Sequence, residues 1–263
     1  MSAAAEVDAA ADAALGAGPA APAVRAEGVA QRFGARTIFR DVSFTVAEKE
    51  VFVILGGSGC GKSTLMKQLI GLLEPSAGRI EVLGHDMARE RSRVLPKIGV
   101  MFQSGALFGS MSLLENVMLP LEIYTDLPPP ARAVVARTKL GLVGLADAAG
   151  LPPAEISGGM AKRAGIARAL ALDPPLLFLD EPAAGLDPIT SAGLDKLILE
   201  LRAALGLTFI VVTHELSSIM AIADRCIMLD REAQGLIAEG SPAKLKAEST
   251  NRIVHAFFHR EVL

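Results

Sequence analysis

Residues 51–64 read VFVILGGSGCGKST, which joins an apolar run, a glycine-rich turn and a Lys-Ser-Thr triplet. The apolar run is unbroken, which is typical of a strand buried on both faces of a sheet. Glycines adopt backbone conformations that other residues resist, so we expect a tight turn after the strand. Apolar residues at helical spacing then predict a helix over residues 63–73. A strand, a glycine turn and a helix in this order form the start of a βαβ unit.

The glycine-rich turn matches the phosphate-binding pattern G-x-x-x-x-G-K-[S/T] in full. Its residues are Gly56, Gly57, Ser58, Gly59, Cys60, Gly61, Lys62, Ser63 and Thr64. The backbone N–H groups of such a loop point at one polyanion, and the N-terminus of the following helix adds positive partial charge. Lys62 supplies a mobile charge for the outer phosphates, and the Ser63 hydroxyl is a ligand for Mg²⁺. We therefore expect a nucleotide site here; a purely structural glycine turn is the alternative.

Apolar runs and helical patterns alternate along the rest of the chain. Buried strands are predicted at residues 98–102, 176–179, 208–212 and 226–229. This alternation is typical of an α/β fold with a mostly parallel core sheet covered by helices on both faces. Residues 24–46 contain short apolar segments separated by turn-forming residues, which predicts an antiparallel β subdomain. Residues 104–173 show helical patterns and no convincing strand, so we expect a helical insertion there.

Two carboxylates, Asp180 and Glu181, follow one of the predicted buried strands directly. Successive side chains of a strand point to opposite faces, so the two acids are expected to have different roles if the strand continues through them. Asp180 is suited to hold a metal ion, directly or through water. Glu181 is then free to polarise an attacking water molecule as a general base. An ordinary pair of acids at a strand end is the alternative.

The composition limits the classes of protein to consider. Of 263 residues, 51% are hydrophobic and 21% are charged, which is typical of a globular chain. The net charge of −3 argues against a general nucleic-acid binder, whose electrostatic footprint is basic. The two cysteines, Cys60 and Cys226, form no C-x-x-C pair, so structural zinc is not expected. No run of apolar residues is long enough to predict a membrane-spanning helix.

Several short motifs occur in a fixed order around these segments. Ile156-Ser157-Gly158-Gly159-Met160 precedes the acid pair, and Gly185-Leu186-Asp187 follows it. Gln103 ends an apolar strand, His214 ends another, and Phe33 lies in the antiparallel region. In this order the motifs resemble the nucleotide-binding subunits of ATP-binding cassette (ABC) transporters: an adenine-stacking aromatic residue, the phosphate loop, the Q-loop, the LSGGQ signature, the acid pair, the D-loop and the switch histidine.

This resemblance covers residues 24–240 and implies an α/β P-loop NTPase fold of the ABC ATPase type. It implies ATP and Mg²⁺ as cofactors. The residues implied to bind ATP are Phe33, the phosphate loop from Gly56 to Thr64, and Gln103. Those implied to act in hydrolysis are Lys62, Glu181 and His214, and those implied to hold Mg²⁺ are Ser63, Gln103 and Asp180. Gln103 would also connect the helical insertion to the core.

The signature implies a dimer. In the family, Ser157, Gly158, Gly159 and Met160 would serve the nucleotide bound by the other protomer, and Asp187 would belong to the D-loop. The N-terminus of the helix that begins there offers free N–H groups and a partial positive charge. Met160 stands where the family usually has Gln, so any polar contact made by that Gln is absent. The resemblance therefore implies two ATP molecules between two copies of the chain.

The finer pattern resembles one branch of the family, the MlaF-like ATPases of Mla/Mce lipid-transport systems. Residues 101–117, Met160 and residues 180–190 carry this likeness. It implies an integral permease of the MlaE type, an MCE protein, a STAS-domain protein in some systems, no nucleic acid, and a peripheral location at the cytoplasmic face of the inner (plasma) membrane. Residues 104–124 would face the permease. The apolar residues considered for that contact, which equally suit an internal core, are Leu107, Phe108, Met111, Leu113 and Leu114.

Two segments lie outside the ATPase domain. Residues 1–23 are rich in Ala, Pro and Gly and lack a basic start, which predicts a disordered tail and no secretory signal. Residues 241–263 form a C-terminal extension. Within it, a short amphipathic helix is predicted from Ile253, Val254, Phe257 and Phe258. This helix is expected to pack on its own domain, on a second subunit or on an accessory protein.

Three other functions are alternatives to phospholipid transport. A soluble ABC ATPase of DNA repair or translation would need coiled coils, a second cassette or basic surfaces, which the sequence lacks. A non-hydrolysing regulatory subunit is disfavoured because Glu181 and His214 are both present. A third alternative is the same ATPase in a transporter for another cargo, such as amino acids or metal ions. The sequence does not exclude it, because the partner proteins determine the cargo.

Overall fold

The computed structural model describes residues 21–103 and 105–262. The strands in these ranges are β1 (Val24–Phe33), β2 (Arg36–Val46), β3 (Val51–Gly56), β4 (Ala77–Val82), β5 (His85–Asp86), β6 (Ile98–Met101), β7 (Leu176–Asp180), β8 (Thr208–Val212), β9 (Arg225–Asp230) and β10 (Gly235–Gly240). The helices are α1 (Lys62–Leu69), α2 (Met87–Val94), α3 (Leu113–Tyr124), α4 (Pro129–Leu142), α5 (Gly158–Ala169), α6 (Pro188–Leu205), α7 (Leu216–Ile222), α8 (Pro242–Glu248) and α9 (Arg252–His259).

A six-stranded sheet forms the centre of the fold, in the order β10-β9-β3-β8-β7-β6. Every pair except β10 with β9 is parallel. All six residues of β3 and all five of β8 are buried, because hydrophobic clusters cover both faces of the sheet. The mostly parallel core sheet predicted from the unbroken apolar runs is therefore confirmed.

A second sheet of order β2-β1-β4-β5 is antiparallel, as expected for the region that contains residues 24–46. Its first two strands have 10 and 11 residues, whereas the sequence predicted short strands. Gly28 and Asp41 do not end the strands. They adopt left-handed conformations, φ 58° and 51°, next to shifts in strand register. Extra residues are accommodated as β-bulges, which bend a strand without ending it.

The described residues between β6 and β7 form helices and turns. A capping box begins α3: the Ser112 hydroxyl accepts from the Glu115 N–H, and the Glu115 carboxylate accepts from the Ser112 N–H. Leu113 is fully buried in the core, whereas Phe108 is 50% exposed. The apolar residues considered for a partner contact therefore divide between the core and the surface.

The C-terminal extension packs on its own domain. Val254 and Phe258 of α9 are buried in the same cluster as Leu245 of α8, and Ile253 and Phe257 pack against that cluster. The predicted amphipathic helix is α9, and its apolar face covers the ATPase domain of the same chain.

The predicted disordered tail comprises residues 1–23. Residues 1–20 of it lie outside the described part of the chain. Ala23 is buried, and its carbonyl accepts a hydrogen bond from the Leu83 N–H at 2.8 Å. Across the described ranges, no helix combines the length and the apolar character that a bilayer crossing requires.

Candidate active site

Four adjacent parallel strands bring the predicted nucleotide and acid residues to one edge of the central sheet. The loop after β3 carries Gly56 to Thr64, β8 leads to His214, β7 ends in Asp180 and Glu181, and β6 leads to Gln103. Parallel strands direct their carboxyl ends to the same edge, where ligands bind in open α/β sheets. Residues that are far apart in sequence therefore meet.

The conformation of the phosphate loop depends on its glycines. Gly56 has φ 147°, and a Cβ built on it would lie 2.2 Å from the Leu229 carbonyl oxygen and 2.7 Å from the Cys60 Sγ. Gly61 has φ 106°, and its Cβ would lie 2.7 Å from the ring of Phe39. The backbone is therefore close to the β9 strand and to β2, and no larger residue fits at either position. Burial raises the pKa of the Cys60 thiol, which favours its neutral form as a small packing residue.

Lys62 extends across the loop that precedes it. Its Nζ donates to the Gly56 carbonyl at 2.8 Å and to the Gly57 carbonyl at 3.1 Å. The ammonium therefore lies over the mouth of the loop, next to the N-terminus of α1. The first turn of this helix contains no acidic residue that would compete for the positive charge.

An open cleft of about 340 Å³ adjoins the loop. It is lined by Phe33, Arg36, Ile38, Gly59, Gly61, Lys62, Ser63 and Thr64. Phe33 lies at the hairpin between β1 and β2, where its ring is 52% exposed. Phe33 therefore lies in the same cleft as the phosphate loop. Arg36 also lines this cleft, although no sequence motif pointed to it. A larger cleft of about 430 Å³ lies between α6 and α7 and contains none of the predicted nucleotide residues.

The acid pair does not continue the strand. β7 ends at Asp180, and Glu181 has a left-handed backbone with φ 47°. Such a conformation costs a non-glycine residue about 1–2 kcal/mol and is concentrated at functional sites. The Glu181 N–H donates to the Val212 carbonyl at 2.8 Å, and its Oε1 lies 2.8 Å from the His214 Nδ1. The two acids do have different surroundings, although the reason is this turn and not strand alternation.

One oxygen of each acid lacks a hydrogen-bond partner within the described ranges: Asp180 Oδ1 and Glu181 Oε2, both buried. Burial raises the pKa of the Asp180 carboxyl, and the charge of Glu181 raises it further, against smaller opposing effects of nearby lysines. A bound cation would satisfy the Asp180 oxygen. Mg²⁺ binds proteins through one or two carboxylates and keeps phosphate and water oxygens as its other ligands. Asp180 and the Ser63 hydroxyl fit Mg²⁺, and no larger cluster of metal-binding side chains occurs in the parts of the chain that are described.

The predicted signature lies away from the cleft within one chain. Ser157 caps α5, where its hydroxyl accepts from the Met160 N–H at 3.2 Å, and Gly158 is exposed. A Cβ on Gly159 would lie 2.5 Å from the Thr190 Cγ2 of α6. The carboxylate of Asp187 accepts from Thr190 through both the N–H, at 3.0 Å, and the hydroxyl, at 2.5 Å. The signature and D-loop residues therefore form one cluster at the beginnings of α5 and α6.

One residue near the acids was missed in the sequence. Lys162 of α5 is buried, with 7% of its surface exposed, and its Nζ lies behind Glu181. Its helical spacing to Ile166 and Ala169 places it on a face that is otherwise apolar. A lysine on such a face is a signal that a buried acceptor lies opposite it.

Known proteins share this arrangement. A family model described as ABC transporter matches residues 39–184. The chain is 43% identical over 225 residues to the intermembrane phospholipid transport system ATP-binding protein MlaF of Escherichia coli (strain K12), covering 84% of this chain and 82% of that protein. It is 42% identical over 218 residues to the probable ribonucleotide transport ATP-binding protein mkl of Mycobacterium tuberculosis (strain ATCC 25618 / H37Rv), covering 81% of this chain and 61% of that protein.

A solved structure extends the likeness to three dimensions. The dimeric post-hydrolysis state of the ATP-binding cassette MJ0796, bound to ADP and Pi, matches with a TM-score of 0.74 at 29% identity, covering 83% of this chain and 98% of that chain. The family and fold expected from the motifs are thereby confirmed. The chain belongs to the ABC transporter family, as an ATP-binding subunit that hydrolyses ATP.

Proposed function

We propose that this subunit drives phospholipid transport from the cytoplasmic face of the inner (plasma) membrane, where it is a peripheral protein. The main observation in support of ATP hydrolysis is the 2.8 Å contact between Glu181 Oε1 and His214 Nδ1, at the same sheet edge as the phosphate loop. The cargo is supported by the 43% identity to a relative named for phospholipid transport. The 42% identity to a relative named for ribonucleotide transport makes ribonucleotides a second candidate cargo.

ATP binds in the cleft beside the phosphate loop. Its adenine stacks on the exposed ring of Phe33, and its phosphates are bound by N–H groups from Gly57 to Thr64. The flexible side chain of Lys62 exchanges its carbonyl partners for phosphate oxygens. Mg²⁺, when bound, neutralises charge on the phosphates, and the residues that would hold it are Ser63, Asp180 and Gln103.

Glu181 performs the chemical step by polarising the attacking water molecule. Its Oε1 is held by His214, so the carboxylate keeps one orientation while Oε2 has no protein partner in the described chain. The His214 side chain is 60% exposed, which leaves the ring accessible to the γ-phosphate. Lys62 stabilises the charge that develops on the transferred phosphoryl group.

The complete site needs a second copy of the chain. Ser157, Gly158, Gly159 and Met160 line no part of the cleft of their own chain. The N-terminus of α5 is exposed at Gly158 and directs N–H groups outward, as an anion site requires. Two chains arranged head to tail would each add this helix end, and the neighbouring Asp187 loop, to the ATP held by the other. The dimeric cassette structure supports this arrangement.

A membrane permease of the MlaE type is the proposed partner on the helical region. Phe108 is 50% exposed, Ile123 is 64% exposed, and both lie in or beside α3. Exposed apolar patches mark interaction sites, and two large exposed apolar side chains in this region favour such a site. An MCE protein, and a STAS-domain protein in some systems, would complete the complex. The net charge of −3 favours no nucleic-acid partner.

The test uses the complex purified from native membranes and reconstituted in phospholipid vesicles. ATP is expected to drive the transfer of a fluorescent phospholipid, and both transfer and ATP hydrolysis are expected to fall to a small residual rate in the Glu181→Gln and Lys62→Ala variants. Lys62→Ala should also lose MgATP affinity, whereas Glu181→Gln should keep it. ATP hydrolysis stimulated by ribonucleotides, amino acids or metal ions, with no phospholipid transfer, would contradict the proposed cargo.

A further inference from the structure

Lys162 makes contacts that connect three motifs of the active site. It is buried within α5, five residues after Ser157, and lysine is almost never buried without partners. Its Nζ donates to the carbonyl oxygen of Gln103 and to that of Glu181, the latter at 3.2 Å. A single ammonium thus bonds the backbone at the ends of β6 and β7 from a helix that begins with the signature.

The backbone that Lys162 holds at Glu181 is strained. Glu181 has φ 47°, a conformation that persists in non-glycine residues only where the surroundings determine it. Its N–H donates to the Val212 carbonyl, and its carbonyl accepts from the Ala184 N–H at 3.2 Å as well as from Lys162. Lys162 therefore supplies one of the few bonds that keep the Glu181 carboxylate directed toward His214.

The charge of Lys162 acts on the same acids. Burial lowers the pKa of its ammonium, whereas the charges of Glu181 and Asp180 raise it. Burial is the larger effect, so the pKa of the ammonium lies below its usual value, and the two carboxylates offset only part of the change.

We propose that Lys162 is a positioning residue, which fixes Glu181 and the Gln103 loop relative to the signature helix α5. This role rests on the proposed function of Glu181 in ATP hydrolysis. Because α5 belongs to the helical region, a shift of that region relative to the core sheet changes the orientation of Glu181 through Lys162. The hydrolytic carboxylate is then aligned only when α5 is correctly placed.

The central experiment compares two lysine-to-methionine variants in the complex purified from native membranes. Lys162→Met keeps the length of the side chain and removes its charge and its donors. Lys139→Met is the matched control, because Lys139 of α4 is also buried, at 6% exposed, but bonds Asp173, which follows α5. We expect Lys162→Met to lower kcat by about a hundredfold with little change in the MgATP Kd, as small misplacements of catalytic groups do. Lys139→Met should leave kcat unchanged.

Two further measurements separate positioning from folding. In a Glu181→Gln background, Lys162→Met should cause no additional loss of kcat, because both changes act through one group. Hydrogen exchange should become faster in residues 181–184 without a change in β8. If Lys162→Met fails to fold, Lys162→Arg, which keeps charge and donors, should retain more activity per folded molecule than Lys162→Gln.

The outcomes distinguish this inference from the proposed function. If the parent complex does not hydrolyse ATP, or if Glu181→Gln hydrolyses it at the parent rate, the proposed function fails. If Glu181→Gln is inactive while Lys162→Met, or Lys162→Gln in its place, has the parent kcat, only the role of Lys162 fails. A loss of kcat by Lys162→Met that is additive with Glu181→Gln also overturns it.

Discussion

Ionisable side chains removed from water define the chemistry of this molecule at the residue scale. Asp180, Glu181, Lys162 and Asp195 are all buried or largely so. Three of them lie at the carboxyl edge of the sheet, where nearby opposite charges and His214 compensate for the lost hydration. Asp195 lies instead in the cleft between α6 and α7, near the carboxylate of Glu215. It is therefore a buried charge that the ATP site does not use.

Asp195 should make stability depend on pH. Burial raises the pKa of its carboxyl; the Ser218 hydroxyl partly opposes this effect, and the charge of Glu215 adds a smaller increase. Because the folded chain binds this proton more tightly than the unfolded chain, stability falls as the pH rises from about 4 through the folded pKa. Asp195→Asn should therefore raise the urea midpoint more at pH 8 than at pH 5. Glu200→Gln, exposed on the same helix, is the control; an equal gain at both pH values from Asp195→Asn would contradict the prediction.

At the scale of elements, the contact between α5 and α6 determines where the signature lies. Gly159 permits the helices to approach because a Cβ there would be 2.5 Å from the Thr190 Cγ2. Thr190 in turn bonds Asp187, which caps α6. The glycine in this signature is thus required by packing within one chain, in addition to any contact with a nucleotide.

Gly159→Ala should destabilise the chain by about 2 kcal/mol, because the added methyl group overpacks the contact with Thr190. Removing the opposing methyl in Gly159→Ala/Thr190→Ser should restore most of this loss. Gly158→Ala is the matched control, since its Cβ would make only an ordinary contact, 3.7 Å from Leu186. The free energy of unfolding in urea checks all three variants. Equal losses in the single and double variants would show that the helix contact is not the cause.

At the scale of the whole molecule, the proposed active site is divided between two surfaces of one chain. The cleft beside β3 holds the phosphate loop, and the signature lies at the exposed start of α5. Neither surface by itself contacts both faces of a bound ATP molecule. The division favours a dimer that closes only around nucleotide, because only the closed pair gains both sets of contacts.

The Glu181→Gln chain should form a dimer with MgATP, seen as a shift in size-exclusion chromatography. Adding Ser157→Arg should abolish that dimer while each monomer still binds ATP, because the long side chain blocks the start of α5. Ser241→Arg serves as the control, since Ser241 caps α8 in the same manner, with its hydroxyl accepting from the Lys244 N–H at 3.3 Å. A dimer that persists in the Ser157→Arg chain would rule out the proposed head-to-tail site.

Much of the site could be predicted from sequence because its parts are local. The phosphate loop is one uninterrupted motif, and the acids and His214 directly follow strands whose apolar runs are unmistakable. The ends of elements were less predictable: α1 ends at Leu69 and not at residue 73, since Gly71 adopts φ 73° beside Met87 and Arg91 of α2. The side on which α9 packs depended likewise on contacts far along the chain.

The sequence alone predicted the family, the positions of the core strands along the chain and the phosphate-binding loop, since these depend on residue type and spacing. Only the tertiary structure decided that Glu181 leaves the strand, that Gly159 packs against Thr190 and that Lys162 bonds both Gln103 and Glu181. Each of these features joins residues from different elements. Their energies come from burial and hydrogen bonds across space, which no local pattern records.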